Sequence, residues 1–279
     1  MTTINTVNTI PPDAMPAADR GGLWPLWSVL AVARFQIGRL LTPPRLALAA
    51  LGVVFPAAVL WAAESISEDR LSREAGAMIL YALIPEAVCM LGLLMTMCPA
   101  VADELERGTW VHVAVRPGGR RSLLLGTYLA AIGWTAAVAM SALIVALLLG
   151  VIRDGTSLAP VLIGLILLSC IGRGALFALP AVIVPKRALV ASVGVALVVE
   201  YLAGFIPAVI NQLTVSLRLR SLLVKWMGWR REVPIQMQLL IDTNPPWIQV
   251  TAVFILAAVL LLVAVLILEW RQFPPSEES

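Results

Sequence analysis

The sequence predicts an all-α, polytopic membrane protein with six transmembrane helices, an N-terminal interfacial helix and a short cytoplasmic helix between spans two and three. Of the 279 residues, 60% are hydrophobic and only 13% are charged, whereas a soluble domain is about 45–50% apolar and about 25% charged. The apolar residues also form stretches that reach the roughly 20 residues of a membrane-spanning helix. Together these observations exclude a soluble globular protein.

The polar N-terminal stretch predicts a disordered tail over residues 1–21. It contains three prolines and no basic residue before Arg20, so it lacks the basic region of a signal peptide. Residues 23–41 then mix tryptophans with arginines, a composition typical of a helix that lies in the membrane interface. Pro43 and Pro44 end this helix before the first span.

Six apolar stretches follow, and they predict one six-span transmembrane domain over residues 22–272, with a short C-terminal tail at 273–279. The second to fourth stretches are longer than a span needs, so we expect those helices to tilt or to extend beyond the hydrocarbon. The predicted spans are 46–63, 77–102, 122–150, 158–184, 188–210 and 249–270.

The distribution of Lys and Arg predicts the orientation of these spans, because cytoplasmic loops carry an excess of both. The loops that share a side with the termini contain eleven basic residues, against eight on the other side. Without the 211–248 segment the comparison becomes eleven to three. We therefore expect both termini to be cytoplasmic in a plasma-membrane protein.

The basic residues do not indicate a nucleic-acid partner. The net charge is +3, but the basic residues are scattered between apolar stretches and form no stripe with interleaved aromatics. The three cysteines lie inside apolar runs and form neither a metal-binding pair nor a disulfide framework. We interpret Cys89, Cys98 and Cys170 as small apolar residues.

Intrinsic catalysis is not expected. His112 is the only histidine and falls in a predicted cytoplasmic segment, which argues against zinc sites and Ser-His-Asp arrangements within the membrane. A phosphate-binding loop needs Gly-Lys followed by Ser or Thr, whereas the two lysines, Lys186 and Lys225, follow Pro185 and Val224. We expect no bound cofactor and no nucleotide site in this chain.

The segment between spans two and three, residues 101–131, carries the most information. Its acidic start predicts a helix that continues from the second span, with Leu105, Thr109 and Val113 on one side. Pro117 and the two glycines after it end that helix. From the residues alone, the segment is a charged cytoplasmic loop with a short interfacial helix.

This segment resembles the permeases of type-2 ABC exporters. Shared features are an acidic pair, a Gly-Thr pair, a short helix, and Pro-x-x-Arg before a glycine-headed span. The matching residues are Glu104, Glu106, Arg107, Gly108, Thr109, Pro117, Arg120 and Gly126. The sequence departs from the pattern at Thr127, where a lysine is common, and at WVHVAV, where a leucine-rich run is usual. The resemblance covers about residues 22–272.

The resemblance implies a function. In that family the segment is the coupling helix, which docks on a separate ATPase subunit. It implies a complex of two ATPase copies with two permease chains, the second being another copy of this chain or a paralogue. This chain would supply the translocation pathway in contact with membrane lipid, while ATP hydrolysis would occur on the partner.

Three charged residues fall well inside predicted spans: Glu86, Arg173 and Glu200. Such groups are costly in lipid, so we expect them to face the bundle interior with a partner. Helix geometry allows the long Arg173 side chain to reach either glutamate. A structural pair and a role in transport both remain open.

The 211–248 segment contains an apolar helical stripe that runs from Val215 through Leu219, Leu222 and Trp226 to Trp229. It predicts an interfacial or re-entrant helix on the outer side of the membrane. The alternative is that the segment is cytoplasmic and that the predicted topology fails after the fourth span.

Two further classes of function stay open beside the exporter. The first is a secondary transporter driven by protons or ions through Glu86 and Glu200. The second is a membrane anchor or assembly factor that transports nothing. The sequence does not identify a substrate.

Overall fold

A computed structural model describes the main part of the chain. The described residues are 24–66, 72–116, 118–150, 152, 155–202, 214–229 and 244–271. The predicted tails at 1–21 and 273–279, the end of the predicted span 188–210 and Pro117 lie outside them.

Every secondary-structure element in the described residues is a helix, which confirms the all-α class. In chain order they are α1 (Trp24–Leu40), α2 (Pro43–Ile66), α3 (Arg73–Glu106), α4 (Trp110–Ala114), α5 (Gly119–Leu148), α6 (Ala159–Ile183), α7 (Ala188–Val195, continued by a π-helical stretch Ala196–Leu202), α8 (Val215–Met227) and α9 (Pro246–Trp270). Short 3₁₀ turns at Gly155–Leu158 and Pro185–Arg187 precede α6 and α7.

Five helices in the described residues are long and apolar enough to cross a membrane. They are α2, α3, α5, α9 and α6 with its preceding 3₁₀ turn, and they match five of the predicted spans. The remaining predicted span, 188–210, is helical as far as Leu202. The multi-pass character of the chain is therefore confirmed, while the count of six stays a prediction.

Helix α6 lies at the centre of the bundle, and its residues are buried from Leu162 to Val182 on most sides. It contacts α3, α5, α7, α8 and α9, while α1 and α2 pack against α5. Glycine allows two of these close approaches. A Cβ at Gly126 of α5 would lie 2.7 Å from Val32 of α1, and one at Gly172 of α6 would lie 2.9 Å from Val215 of α8.

The predicted N-terminal helix is present as α1. Ala33 and Leu40 are buried against the bundle, whereas Trp27, Leu30 and Phe35 are exposed. Large apolar side chains on the outward face suit contact with lipid. The position of α1 in the membrane interface stays a prediction.

The predicted continuous helix from the second span through Val113 is wrong. Helix α3 ends at Glu106, and Gly108 adopts a left-handed conformation with φ of 68° before α4 begins at Trp110. A glycine takes this conformation without the steric penalty of a Cβ atom, so it turns the chain at low cost. Leu105, Thr109 and Val113 therefore do not lie along one helix.

Candidate functional site

The three predicted intramembrane charges meet at the centre of the bundle. Arg173 of α6 is fully buried and lies between two carboxylates. Its Nη2 donates to Glu86 of α3, and its Nε and Nη2 each lie 3.3 Å from Oε2 of Glu200 on α7. The predicted contact of Arg173 is confirmed, and the arginine engages both glutamates together.

A π-helical stretch in α3, Ala82–Val88, presents Glu86 and the preceding backbone to Arg173. Here the N–H of Cys89 donates to Ile84 O, five residues back, where an α-helix would use Pro85 O. Pro85 O instead accepts hydrogen bonds from Arg173 Nη1 at 2.5 Å and from Ser169 Oγ at 2.6 Å. The local distortion thus supplies an acceptor for the buried guanidinium.

The N-terminus of α8 completes this buried cluster. The backbone N–H groups of Val215 and Ser216 donate to the Glu200 carboxylate at 3.2 and 3.0 Å. The Ser216 hydroxyl donates to Glu86 Oε1 at 2.7 Å and accepts from Arg173 Nη2 at 3.2 Å. Because a helix N-terminus favours negative charge, α8 adds to the stabilisation of both carboxylates.

The side chains of the buried cluster each make several hydrogen bonds, but their negative and positive formal charges do not balance. Tyr81 also donates to Glu86 Oε1, at 2.5 Å, so each carboxylate has several donors. Two carboxylates face one guanidinium, and Arg220, which is exposed, lies one turn along α8 from Ser216. The arrangement can hold α3, α6, α7 and α8 together, and its carboxylates are chemically able to bind a proton or a cation.

Helix α8 supports the re-entrant interpretation of the 211–248 segment. It begins beside Arg173, and its far end brings Trp226 next to Gly164 near the start of α6. Its 13 residues span about 20 Å, less than the roughly 30 Å of a bilayer core. Val215, Leu219 and Leu222 are buried, so α8 packs within the bundle, and its position relative to the membrane interface stays a prediction.

The second predicted site lies where α3 ends. Glu104 is buried, and its carboxylate accepts hydrogen bonds from Arg39 of α1 and from the Thr109 hydroxyl. The neighbouring Asp103 pairs with Arg39 at 3.3 Å and lies 3.8 Å from Arg45 of α2. Glu104 therefore joins the loop after α3 to the N-terminal helix and faces inward.

Arg120 joins the same loop to the last helix. Its Nη1 donates to the carbonyl oxygen of Glu269 at 3.0 Å and reaches that of Arg271 at 3.3 Å. Its guanidinium also lies 5.7 Å from the ring centroid of the buried Trp110. A cation at a helix C-terminus is favourable, so Arg120 both caps α9 and holds α4 in place.

These contacts define one end of the bundle, which we call the basic end. Arg121 pairs with Glu269, Arg271 donates to the carbonyl oxygens of Val182 and Ile183, and the turn Pro185–Arg187 packs against the end of α3. The segments predicted to share the cytoplasmic side thus lie together. Which side of the membrane the basic end faces stays a prediction.

The predicted coupling residues divide into two groups. Glu104 and Arg120 are held by internal contacts, whereas the others that the structure describes are exposed: Glu106, Arg107, Gly108 and Thr109, although Thr109 also bonds Glu104. Pro117 lies outside the described residues. Within the part of the chain that the structure describes, no hydrogen bond or ion pair links the buried cluster at Arg173 to this loop, so we treat them as two separate sites.

Sequence reasoning missed several partners. The sequence marks Arg39 only as an arginine of the predicted interfacial helix and of the predicted cytoplasmic side, although a basic residue near a helix end could have suggested an acidic partner in the loop. Tyr81 and Ser216 carried no detectable signal, since their roles depend on tertiary contact. Cys89 and Cys170, taken as separate apolar residues, contact each other with their Sγ atoms 3.8 Å apart.

The chain matches no family model and no curated protein sequence.

Proposed function

We propose that this chain is the membrane subunit of an ATP-driven exporter of the type-2 ABC family. It would span the plasma membrane six times with both termini in the cytoplasm. Two such chains would form the translocation pathway and bind two separate ATPase subunits. The residues of the resemblance, from Glu104 to Gly126, motivate this proposal, and the geometry of the basic end supports it.

The observation that carries the proposal is an exposed loop fixed at both ends. The exposed run Glu106–Thr109 lies between two internal anchors, Glu104 and Trp110, and the exposed His112 follows Trp110. A surface that transmits force must be accessible to its partner and firmly attached to the bundle. This loop meets both requirements, with acidic, basic and aromatic groups within a few residues.

The anchors also suggest how movement would pass into the membrane. Displacement of α4 by the ATPase would act on α9 through Trp110 and Arg120. The same displacement would act on α1 through Thr109, Glu104 and Arg39. In this proposal the chain contributes the pathway, and nucleotide binding and hydrolysis take place on the ATPase subunits.

The docking surface can be tested by charge reversal at Glu106 and Arg107. The membrane chain is purified together with a tagged P-loop ATPase from a neighbouring reading frame, and the bound ATPase is quantified. We expect the double variant E106R/R107E to reduce the recovered ATPase at least about tenfold. Charged surface contacts often set whether a partner binds, because like charges placed opposite each other are repulsive.

The matched control reverses Arg73 and Glu74, an adjacent charged pair at the start of α3 and at the other end of the bundle. The variant R73E/E74R should retain ATPase as the wild type does. Equal retention by E106R/R107E and the wild type would contradict the docking surface. Equal loss in both variants would show that the effect is not specific to the loop.

A proton- or ion-coupled secondary transporter is the second candidate, and the buried cluster favours it. Two carboxylates share one arginine there, and exchange of a proton or cation at Glu86 or Glu200 could be linked to movement of α8. The test uses proteoliposomes that contain this chain alone. Transport that is driven by a pH gradient without ATP, and that is lost in E86Q, would favour this candidate over the exporter.

A further inference from the structure

An apolar groove runs between α2, α3 and α5, and one of its ends reaches Arg45, beside Asp103 of the second site. Its volume is about 330 Å³, which lies at the lower end of the range for small-molecule sites. The walls are almost entirely aliphatic and aromatic, with Phe55 from α2, Leu91 from α3 and Trp134 from α5 among them. The groove is therefore suited to a hydrocarbon ligand.

The groove opens sideways on the surface that spans the membrane. Leu48 and Leu91, which line it, are 52% and 55% exposed, and Leu51 is 62% exposed. Along α2 the lining extends from Arg45 to Phe55, about 15 Å at the helical rise per residue. The long axis of the groove follows the helices, in the direction that acyl chains take in a bilayer.

One end of the groove is polar. Arg45 and Thr96 line it there, and both also line a second cavity of about 20 Å³ that reaches Gln36 and Asp103. Arg45 donates to the Arg39 carbonyl oxygen at 3.2 Å and lies 3.8 Å from Asp103. A guanidinium has five N–H donors, and the Arg45 side chain is 32% exposed, so it can also bind an external anion.

We propose that this groove binds one acyl chain of a bilayer phospholipid, with the lipid phosphate at Arg45. The bilayer supplies this ligand at high concentration beside the opening of the groove. Arginine binds phosphate well because its planar donors match the phosphate oxygens, and each buried methylene adds to the affinity. The inference concerns a bound lipid and does not depend on the proposed export function.

Gly52 of α2 offers a way to fill the groove. A Cβ atom at this position would meet Val138 at 3.6 Å and Val88 at 3.8 Å, which are ordinary contact distances, so a larger side chain would extend into the groove. Gly133 of α5 is exposed and has nothing within 4 Å of the corresponding position. The variants G52L and G133L therefore add the same side chain inside and outside the groove.

The experiment measures phospholipid retained per chain after purification in detergent, by native mass spectrometry and by extraction. We expect wild type and G133L to retain one phosphatidylglycerol or phosphatidylethanolamine molecule per chain. We expect G52L to retain at least about tenfold less, because the added side chain excludes several methylenes. Equal retention by G52L and the wild type, with both chains monodisperse, would overturn the proposal.

A second variant, R45Q, tests the phosphate without filling the groove. In competition between phosphatidylglycerol and diacylglycerol, the wild type should prefer the phospholipid, and R45Q should lose about fivefold of that preference. An unchanged preference would overturn the assignment of Arg45. Disulfide cross-linking of L51C between two copies in membranes, with no lipid retained, would show that a second protein chain occupies the groove.

Discussion

Replacing Arg173 by leucine is the most direct perturbation of the buried cluster. Among the described residues, Arg173 supplies the only guanidinium that contacts Glu86 and Glu200. The substitution R173L removes it and takes away the donors to Pro85 O and Ser169. Two carboxylates then face each other in the bundle interior without a cation between them. Removing one partner of a buried ion pair costs about 3–5 kcal/mol.

This cost can be read from thermal unfolding in detergent, monitored by the fluorescence of the nine tryptophans. At about 2–4 °C per kcal/mol for a chain of this size, R173L should lower the Tm by roughly 6–20 °C. The matched control is R187L, which removes an exposed arginine. A surface change of that kind costs at most about 0.5 kcal/mol, so its Tm should fall by no more than about 2 °C.

A triple variant separates the charge from the packing of the arginine. Adding E86Q and E200Q to R173L removes both uncompensated carboxylates, and we expect it to recover more than half of the lost stability. The three substitutions would then be strongly non-additive. A Tm for R173L equal to that of R187L, or costs that simply add in the triple variant, would refute the reasoning.

The two remaining predictions concern helix packing and topology. Cys89 and Cys170 should form a disulfide on treatment of membranes with a permeant oxidant, because their Sγ atoms are 3.8 Å apart. Labelling of the free thiols after denaturation measures how many thiols the oxidation removes. For topology, an impermeant thiol reagent applied to intact cells should label T156C, because Thr156 is exposed at the end of the bundle opposite the basic end. The same reagent should label K186C, at the basic end, only after the cells are permeabilised.

Matched variants control both experiments. C98S should leave the oxidative loss of two thiols unchanged, whereas C170S should abolish it; oxidation that persists in C170S would show that α3 and α6 do not pack as described. In the labelling experiment the native cysteines are all buried, so they should add little background. Labelling of K186C without permeabilisation would reverse the predicted orientation.

The fold class and the main helices could be predicted because membrane insertion imposes a simple rule on the sequence. A span must be apolar over about 20 residues, and five such helices are found where the stretches predicted them. The possible partners of Arg173 could also be narrowed to two, because a buried charge needs a counter-charge and only two carboxylates lie well inside the predicted spans, Glu269 being at the end of the last one.

The contacts at the basic end could be predicted only in part. The acidic and basic residues after the second span marked the loop, yet the break at Gly108 interrupted the helix that periodicity had suggested. Periodicity reports which residues could share a face if the helix continued, and it does not report where a glycine turns the chain. The inward position of Glu104 followed from Arg39, which is 65 residues away in sequence.

The sequence by itself determined that this protein is a bundle of membrane helices with a charged loop and three ionisable residues inside it. Only the tertiary structure decided that α8 starts within the bundle, that both glutamates share Arg173, and that an apolar groove opens beside Arg45. The difference has a physical reason. Transfer of a segment into the membrane depends on its own residues, whereas hydrogen bonds and cavities depend on how distant segments approach each other.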